Sequence, residues 1–438
     1  YMSKKKKKDR KTQPQAATVP EKKIIPAAPG LRFNLGVLVF FFLYAFLLYA
    51  NSLHSPFIWD DKYLITDNHL IKSLRYIPDI FKHHLYYSTA GTSSFYRPLQ
   101  TIFLILDHAL SKNNVIGYHI TSIIFHVFCA FFIYLNISAL FKRKFIAFMV
   151  GLLFLVHPIN STVVNYISSR ADSQVTLFVL ISVYLFIKYN FIKSLGSKNL
   201  TNGPAVRQGH GLPGQSFGRE LPSLFYLFGS LFSFILALLS KELGIILPFL
   251  ILVIIPFISN NEQDKNSDKE QKESFDRFCV FKKVLPYFTV WSIYGVLRFT
   301  ILKFQSGGGV SFPPLYIRLL TTAESFVRLI VSLFLPLKIH IEKSIPFSQG
   351  FSQPSTFFCL IIMIGLAIFI YWVRTRSRIC FWGLIWFFVA LLPMANIVPI
   401  NTTLTDHWLY LPCLGLFVSV IGGTADLIKK ADLTRQRL

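Results

Sequence analysis

Apolar runs of bilayer length recur along this chain between residues 31 and 428, and no other feature restricts its fold as strongly. A helix needs about 20 apolar residues to cross the hydrocarbon core of a bilayer. Every backbone N–H and C=O at that depth must be satisfied within the protein, which leaves helical bundles and closed barrels. A barrel would show segments of about 10 residues in strict apolar–polar alternation. The runs here are continuous, so the chain reads as an all-α polytopic membrane protein. Composition agrees, with 53% hydrophobic and 15% charged residues among 438, against about 25% charged in soluble domains. The formal charge of +24 does not indicate nucleic acid, which would require a basic patch interleaved with aromatics. Lys and Arg gather instead at the ends of the apolar runs, and membrane lipid is the expected partner. The five cysteines are scattered without a C-x-x-C pair, so neither a disulfide framework nor a zinc site is indicated.

Residues 1–30, with five consecutive lysines from Lys4 to Lys8, read as a disordered basic tail against anionic head groups. Spans are expected at 31–50, 116–140, 145–156, 173–189, 224–239, 243–258, 284–302, 356–373, 381–395 and 409–428. The loop 51–114 is too patterned for a tether. Leu70, Ile71, Leu74, Ile77 and Phe81 recur at helical spacing, which predicts an amphipathic helix kinked at Pro78. Pro98 opens a further short apolar helix, where proline suits the first turn. The segments 191–222 and 260–283 read as flexible loops and 303–354 as a long outer loop. Within that loop, 323–337 reads as a surface or re-entrant helix because it carries Glu324 and Arg328. A basic end, 429–438, closes the chain.

With the N-terminus cytoplasmic, inner segments hold 31 Lys and Arg and outer segments 14, as the positive-inside rule requires. This orientation places Trp59-Asp60-Asp61, Tyr96-Arg97, His157, Arg170-Ala171-Asp172, Lys241-Glu242 and Asp406-His407 on the outer face. Charges close to the membrane usually mark function. Each also has a plainer reading. Asp60 and Asp61 alone would pass for solvated loop residues, Lys241-Glu242 for an ion pair at a helix junction, and Asp172 for a helix-start acid favoured by the dipole. His119 and His126, seven apart on one helix face, read as packing histidines. An acid beside a base at the membrane surface suits removal of a hydroxyl proton and retention of an anionic leaving group. Two adjacent carboxylates without a third acidic ligand are a poor divalent-metal site, and no metal or other cofactor is predicted.

Phe57-Ile58-Trp59-Asp60-Asp61, Tyr96-Arg97-Pro98-Leu99, His157-Pro158 with Arg170-Ala171-Asp172, Ser240-Lys241-Glu242-Leu243-Gly244 and Asp406-His407-Trp408-Leu409-Tyr410-Leu411-Pro412 occur in that order. The series resembles the membrane part of the transmembrane and TPR repeat-containing O-mannosyltransferases and their bacterial relatives, within the GT-C superfamily. It extends over roughly residues 35–428. The resemblance implies a GT-C-like domain over 31–428, a bundle of about 10–11 transmembrane helices with a structured first outer loop. It also implies inverting transfer of a mannose-like sugar from a polyprenyl-phosphate donor to an acceptor hydroxyl on a protein or glycan, on the periplasmic or lumenal face. On the matching positions Asp60 is the catalytic base and Asp61 orients the acceptor. Arg97, Arg170 and Lys241 hold the donor phosphate, while Trp59, Tyr96, His157, Asp172, Glu242, Asp406 and His407 line donor or acceptor. Two features depart from the family pattern: no TPR domain is read in this chain, and His407 stands where arginine is commoner. Without repeats, a bacterial inner membrane is expected over the endoplasmic reticulum. A transporter or flippase of lipid-linked sugars is the alternative function, and a non-catalytic scaffold a third.

Overall fold

The computed structural model describes residues 31–89, 93–201, 214–259, 277–304, 312–337, 339–343, 345–398 and 404–435. The basic tail, residues 202–213 and 260–276 of the two segments expected to be flexible, and the triple glycine at 307–309 lie outside them. The described residues form helices and turns, with one isolated antiparallel bridge between Lys343 and Leu404. The chain is an all-α polytopic membrane protein. Its helices are α1 (Leu31–Tyr49), α2 (Ile77–Ile80), α3 (Pro98–Ser111), α4 (Val115–Phe141), α5 (Lys144–Val156), α6 (Ser161–Asn165), α7 (Arg170–Thr201), α8 (Gly214–Ser240), α9 (Leu247–Ser259), α10 (Arg277–Thr300), α11 (Leu315–Phe334), α12 (Pro354–Val373), α13 (Arg378–Leu391) and α14 (Cys413–Arg435).

Among the described residues, five helices are long and apolar enough to cross a bilayer, or six if α5 and the following piece form one span bent by 53°. That is fewer than the ten expected spans, and the reasons are local. Helices α9 and α13 have only 13 and 14 residues. Helix α10 carries Arg277, Lys282, Lys283 and Arg298, and α14 carries Asp426, Lys429 and Lys430. Helices α7 and α8 both extend into the segment expected to be a flexible loop, from 191 to Thr201 and from Gly214 to 222.

Helix α4 is the centre of the bundle. Its buried face, including Ile123, Cys129, Ala130 and Ile133, packs within one continuous core shared with α1, α5, α7 and α14. Helix α12 turns almost all of its apolar surface outward, with Ile364, Ile368 and Tyr371 exposed, as a lipid-facing helix does. Contact between α13 and α14 depends on absent side chains: a Cβ on Gly383 would lie 2.3 Å from the Gly415 carbonyl oxygen. Ser419 Oγ donates to the Cys380 carbonyl at 3.0 Å across the same seam. Small residues permit such backbone approach where lipid supplies no hydrophobic drive between helices.

Two of the helices foreseen in the outer segments differ. The amphipathic helix at 70–82 is broken into the turns His69–Lys72 and Leu74–Tyr76 followed by α2. Asn68 caps the first turn and Ser73, in an extended conformation, caps the second. These side-chain bonds offer the backbone a local alternative to a continuous helix. Pro78 lies at the start of α2 and does not kink a longer helix. Helix α11 begins at Leu315, well before 323. Its buried Glu324 accepts hydrogen bonds from Ser355 and Thr356 in the first turn of α12, an end where the helix dipole favours an anion.

His119 and His126 bond separate partners, and the buried Nδ1 of His119 is left without one. His119 Nε2 lies 3.0 Å from the Ser55 carbonyl, and His126 bridges Tyr410 Oη at 2.6 Å and the Leu155 carbonyl at 3.0 Å. They pack, as their spacing suggested.

Candidate active site

The backbone is irregular on both sides of the two aspartates. Trp59 takes φ 49°, a left-handed conformation that costs a bulky side chain roughly 1–3 kcal/mol. A π-helical turn, Lys62–Thr66, follows directly, a geometry that frequently accompanies functional sites. Asp61 is only 1% exposed. Its Oδ1 accepts from Ser168 N at 2.8 Å and Ser168 Oγ at 2.5 Å, and its Oδ2 from Ile58 N at 3.2 Å. Burial raises the Asp61 pKa, and the Ser168 and Ile58 donors with the charge of Arg170 partly reverse this. Asp61 therefore clasps the first loop to the turn before α7.

Asp60 has a different setting. It is partly exposed, and its backbone N–H donates to Tyr166 Oη at 3.2 Å. The charge of its carboxylate acts on the Tyr86 hydroxyl. Burial lifts the Tyr86 phenol above its ordinary pKa, and the Asp60 charge lifts it further. Tyr86 thus stays a protonated phenol, with a hydroxyl proton to donate.

Beyond Tyr86 lie two anchored cations. Arg97 donates from Nε to Glu242 Oε2 at 3.0 Å, with its Nη2 2.9 Å from the same oxygen. Its guanidinium lies 4.6 Å from the Phe95 ring centroid. That leaves the second terminal nitrogen outside the ion pair. Lys241 Nζ bonds both oxygens of Asp172 at 2.7 Å. The charge of Arg97 acts on Tyr86, Lys241 and His407, so these groups lie in one field. The first loop, the start of α7, the α8–α9 junction and the segment before α14 supply them. Arg97 is the residue that precedes α3, whose first residue is Pro98. Lys241 stands in extended backbone between α8 and the 3-10 turn Glu242–Ile246.

Other residues of the motifs have structural placements. Arg170 is fully buried and pairs with Asp107 Oδ2 at 2.5 Å, and Thr121 Oγ1 donates to Asp107 Oδ1 at 2.7 Å. Asp406 accepts from His340 N at 2.8 Å and from Lys343 Nζ, which holds the 339–343 segment beside it. His157 caps the turn after α5 through Ile159 N at 3.2 Å and reaches the Leu333 carbonyl at 3.0 Å. Tyr96 Oη donates to the Phe81 carbonyl at 3.1 Å. Trp59 is 59% exposed beside Asp60. Tyr86, Tyr166, Ser168 and Asp107 were not singled out by the motifs. Asp107 carried a readable signal, as a lone acid inside an apolar helical run. The two tyrosines carried none, because an aromatic in an aromatic-rich chain is unmarked. Among the described residues no three His, Cys, Asp or Glu gather at metal-holding distance.

His407 sits within the field of these charges. Burial lowers its pKa; Asp172 opposes this and Lys241 and Arg97 add to it, leaving it at about 4. The ring is neutral at pH 7, so this position supplies no fixed positive charge. An unfolded histidine titrates near 6.5. Between pH ~6.5 and ~4 the unfolded chain therefore binds the extra proton, so His407 makes stability decline as pH falls through that window and flat above it. Thermal midpoints should fall less from pH 7.5 to 4.5 in His407→Gln than in the unaltered protein. Equal declines would exclude His407 as the source.

Fold and site together define a multi-pass membrane protein with a partly exposed carboxylate, a tyrosine in the field of that carboxylate and of Arg97, and two anchored cations. The sequence is similar to protein O-mannosyl-transferases of animals. It is 31% identical over 150 residues to protein O-mannosyl-transferase TMTC2 of Mus musculus, covering 32% of this chain and 17% of that protein. It is 32% identical over 229 residues to TMTC1 of Homo sapiens, covering 51% and 24%, and 28% identical over 146 residues to F38B6.6 of Caenorhabditis elegans, covering 32% and 21%. The matched part thus spans less than a quarter of each relative's length. No protein-family model matches the chain.

Proposed function

We propose that this chain catalyses inverting transfer of mannose, or a closely similar sugar, from a polyprenyl-phosphate donor to a Ser or Thr hydroxyl of a protein. The observation that carries this reading is that the charges of Asp60 and Arg97 both act on Tyr86, while Glu242 and Asp172 anchor Arg97 and Lys241. The relatives' names, protein O-mannosyl-transferases, favour a protein acceptor and this sugar.

In the proposed step the Asp60 carboxylate takes the acceptor hydroxyl proton as the oxygen attacks the anomeric carbon. The bond from that carbon to the phosphate oxygen breaks, and its electron pair leaves with the polyprenyl phosphate. The departing group gains a negative charge, which Arg97 and Lys241 are placed to meet. Glu242 and Asp172 keep those cations in position before the donor arrives. Arg170 acts at one remove, holding α3 to α7 through Asp107, and Asp61 acts by fixing the loop that carries Asp60. Charge compensation by Arg and Lys requires no divalent metal in this mechanism. All the named relatives are animal proteins, which moves the proposed location from a bacterial inner membrane to the endoplasmic reticulum, with the site lumenal.

The test uses the full chain in proteoliposomes with polyprenyl-phosphate mannose, labelled in the sugar, and a Ser/Thr-rich peptide. Label should move to the peptide and be released by alkaline β-elimination. Label that crosses the bilayer but stays on lipid would make the chain a transporter and overturn the proposal.

A further inference from the structure

The end of the bundle opposite Asp60 holds a second concave site. Helix α4 runs for 27 residues between the two ends, about 40 Å at 1.5 Å per residue. At its far end lies a cavity of about 540 Å³ between the ends of α4, α9, α12, α13 and α14. A volume of 300–1,000 Å³ is typical of small-molecule sites. Five cations line it, Arg143, Arg376, Arg378, Lys429 and Lys430, against one carboxylate, Asp426.

Part of this lining is scaffolding. Arg143 Nη1 pairs with Asp426 Oδ1 at 2.5 Å, and Ser377 Oγ donates to Asp426 Oδ2 at 2.6 Å. These bonds tie α5, α13 and α14 together and cancel one positive charge. The Arg376 guanidinium lies over the exposed Trp372, 4.0 Å from its ring centroid, and that of Arg378 lies 5.5 Å from the Phe257 ring centroid. Such stacking orients a guanidinium while leaving its edge for an anion. Arg143 and the pair flanking Ser377 also stand at the N-terminal ends of α5 and α13. A helix N-terminus favours anions and disfavours cations, so an anion in the cavity would relieve a mismatch that packing alone leaves.

The rest of the lining decides what kind of anion fits. Leu140, Phe141, Phe257 and Ile379 form an apolar side to the same cavity, and the adjoining α12 is turned outward along its apolar length. A soluble phosphate has no use for that surface, whereas a lipid has an acyl region to place there. We propose that this cavity binds the phosphorylated headgroup of an anionic phospholipid, with the lipid's chains running along α12. The site is separate from the one proposed for sugar transfer, and its test does not depend on that activity.

Phosphatidylinositol 4-phosphate binding to the full chain in nanodiscs or detergent should be measured by native mass spectrometry against phosphatidylcholine. The phosphorylated lipid should be retained at least tenfold better. Each surface cation contributes about fivefold to such affinity, so Arg378→Gln with Lys429→Gln should weaken it about 25-fold. The exposed Lys429→Glu, which alters only a surface side chain, should weaken it to a similar degree, and Arg378→Lys with Lys429→Arg should retain it. Equal retention of phosphatidylcholine, or unchanged binding in both charge-removing variants, would overturn the proposal. Competition by soluble inositol 1,4-bisphosphate as strong as that of the lipid would show a free-phosphate site and overturn the lipid assignment.

Discussion

Asp60→Asn should lower sugar transfer by about 10²–10⁴-fold, the range a positioned general base contributes, with expression and thermal stability close to those of the unaltered protein. The change preserves shape and removes only the proton-accepting charge. The hydrogen bond to Tyr166 is made by the Asp60 backbone N–H and survives the substitution. The side chain is partly exposed, so no buried network is left unpaired. The measurement is initial transfer rate at saturating donor, alongside a melting curve. Transfer at the unaltered rate would remove Asp60 from the mechanism. The adjacent aspartate should behave otherwise, since Asp61 is buried under three donors and its replacement should show first in the melting curve.

Arg170→Met should give the largest loss of stability. Arg170 is fully buried and its partner Asp107 is 4% exposed. Removing the arginine leaves a carboxylate uncompensated in the protein interior, which costs about 3–5 kcal/mol. Replacing both residues, Arg170→Met with Asp107→Leu, should recover most of that loss, because an apolar pair of similar volume is often as stable as a buried ion pair. Thermal midpoints of the two variants decide the matter. A single variant that melts normally but no longer uses the polyprenyl-phosphate donor would instead give Arg170 direct contact with the donor phosphate.

The structure pairs the charged motif residues differently from their order in the sequence. Arg97, Lys241, Asp172 and Glu242 do lie together, yet the sequence suggested Lys241-Glu242 as one pair. The structure crosses the partners, Lys241 with Asp172 and Arg97 with Glu242. Adjacent residues point in different directions when the backbone between them is extended, so neighbours in sequence are poor candidates for mutual pairing. The segment 70–82 shows a related limit. Its apolar spacing suits a helix, but Asn68 and Ser73 supply local caps that divide it into short turns. Pro98 opens α3, as its sequence setting predicts, because proline's fixed φ and missing N–H suit a first helical turn.

The sequence by itself determined the helical membrane class, most helix positions, the loop bearing Asp60 and the sorting of charged motifs to the ends of the spans. These follow from local properties: the length of an apolar run, the cost of backbone polar groups in lipid, the residues at a cap. Only the tertiary structure decided that Asp60 is the accessible carboxylate and Asp61 a buried clasp, that Tyr86 links Asp60 to the field of Arg97, and that Arg170 is tied to Asp107. Those distinctions depend on burial and on partners up to 107 residues away, and in a medium that strengthens every unscreened charge, it is the partner that sets what a charged side chain can do.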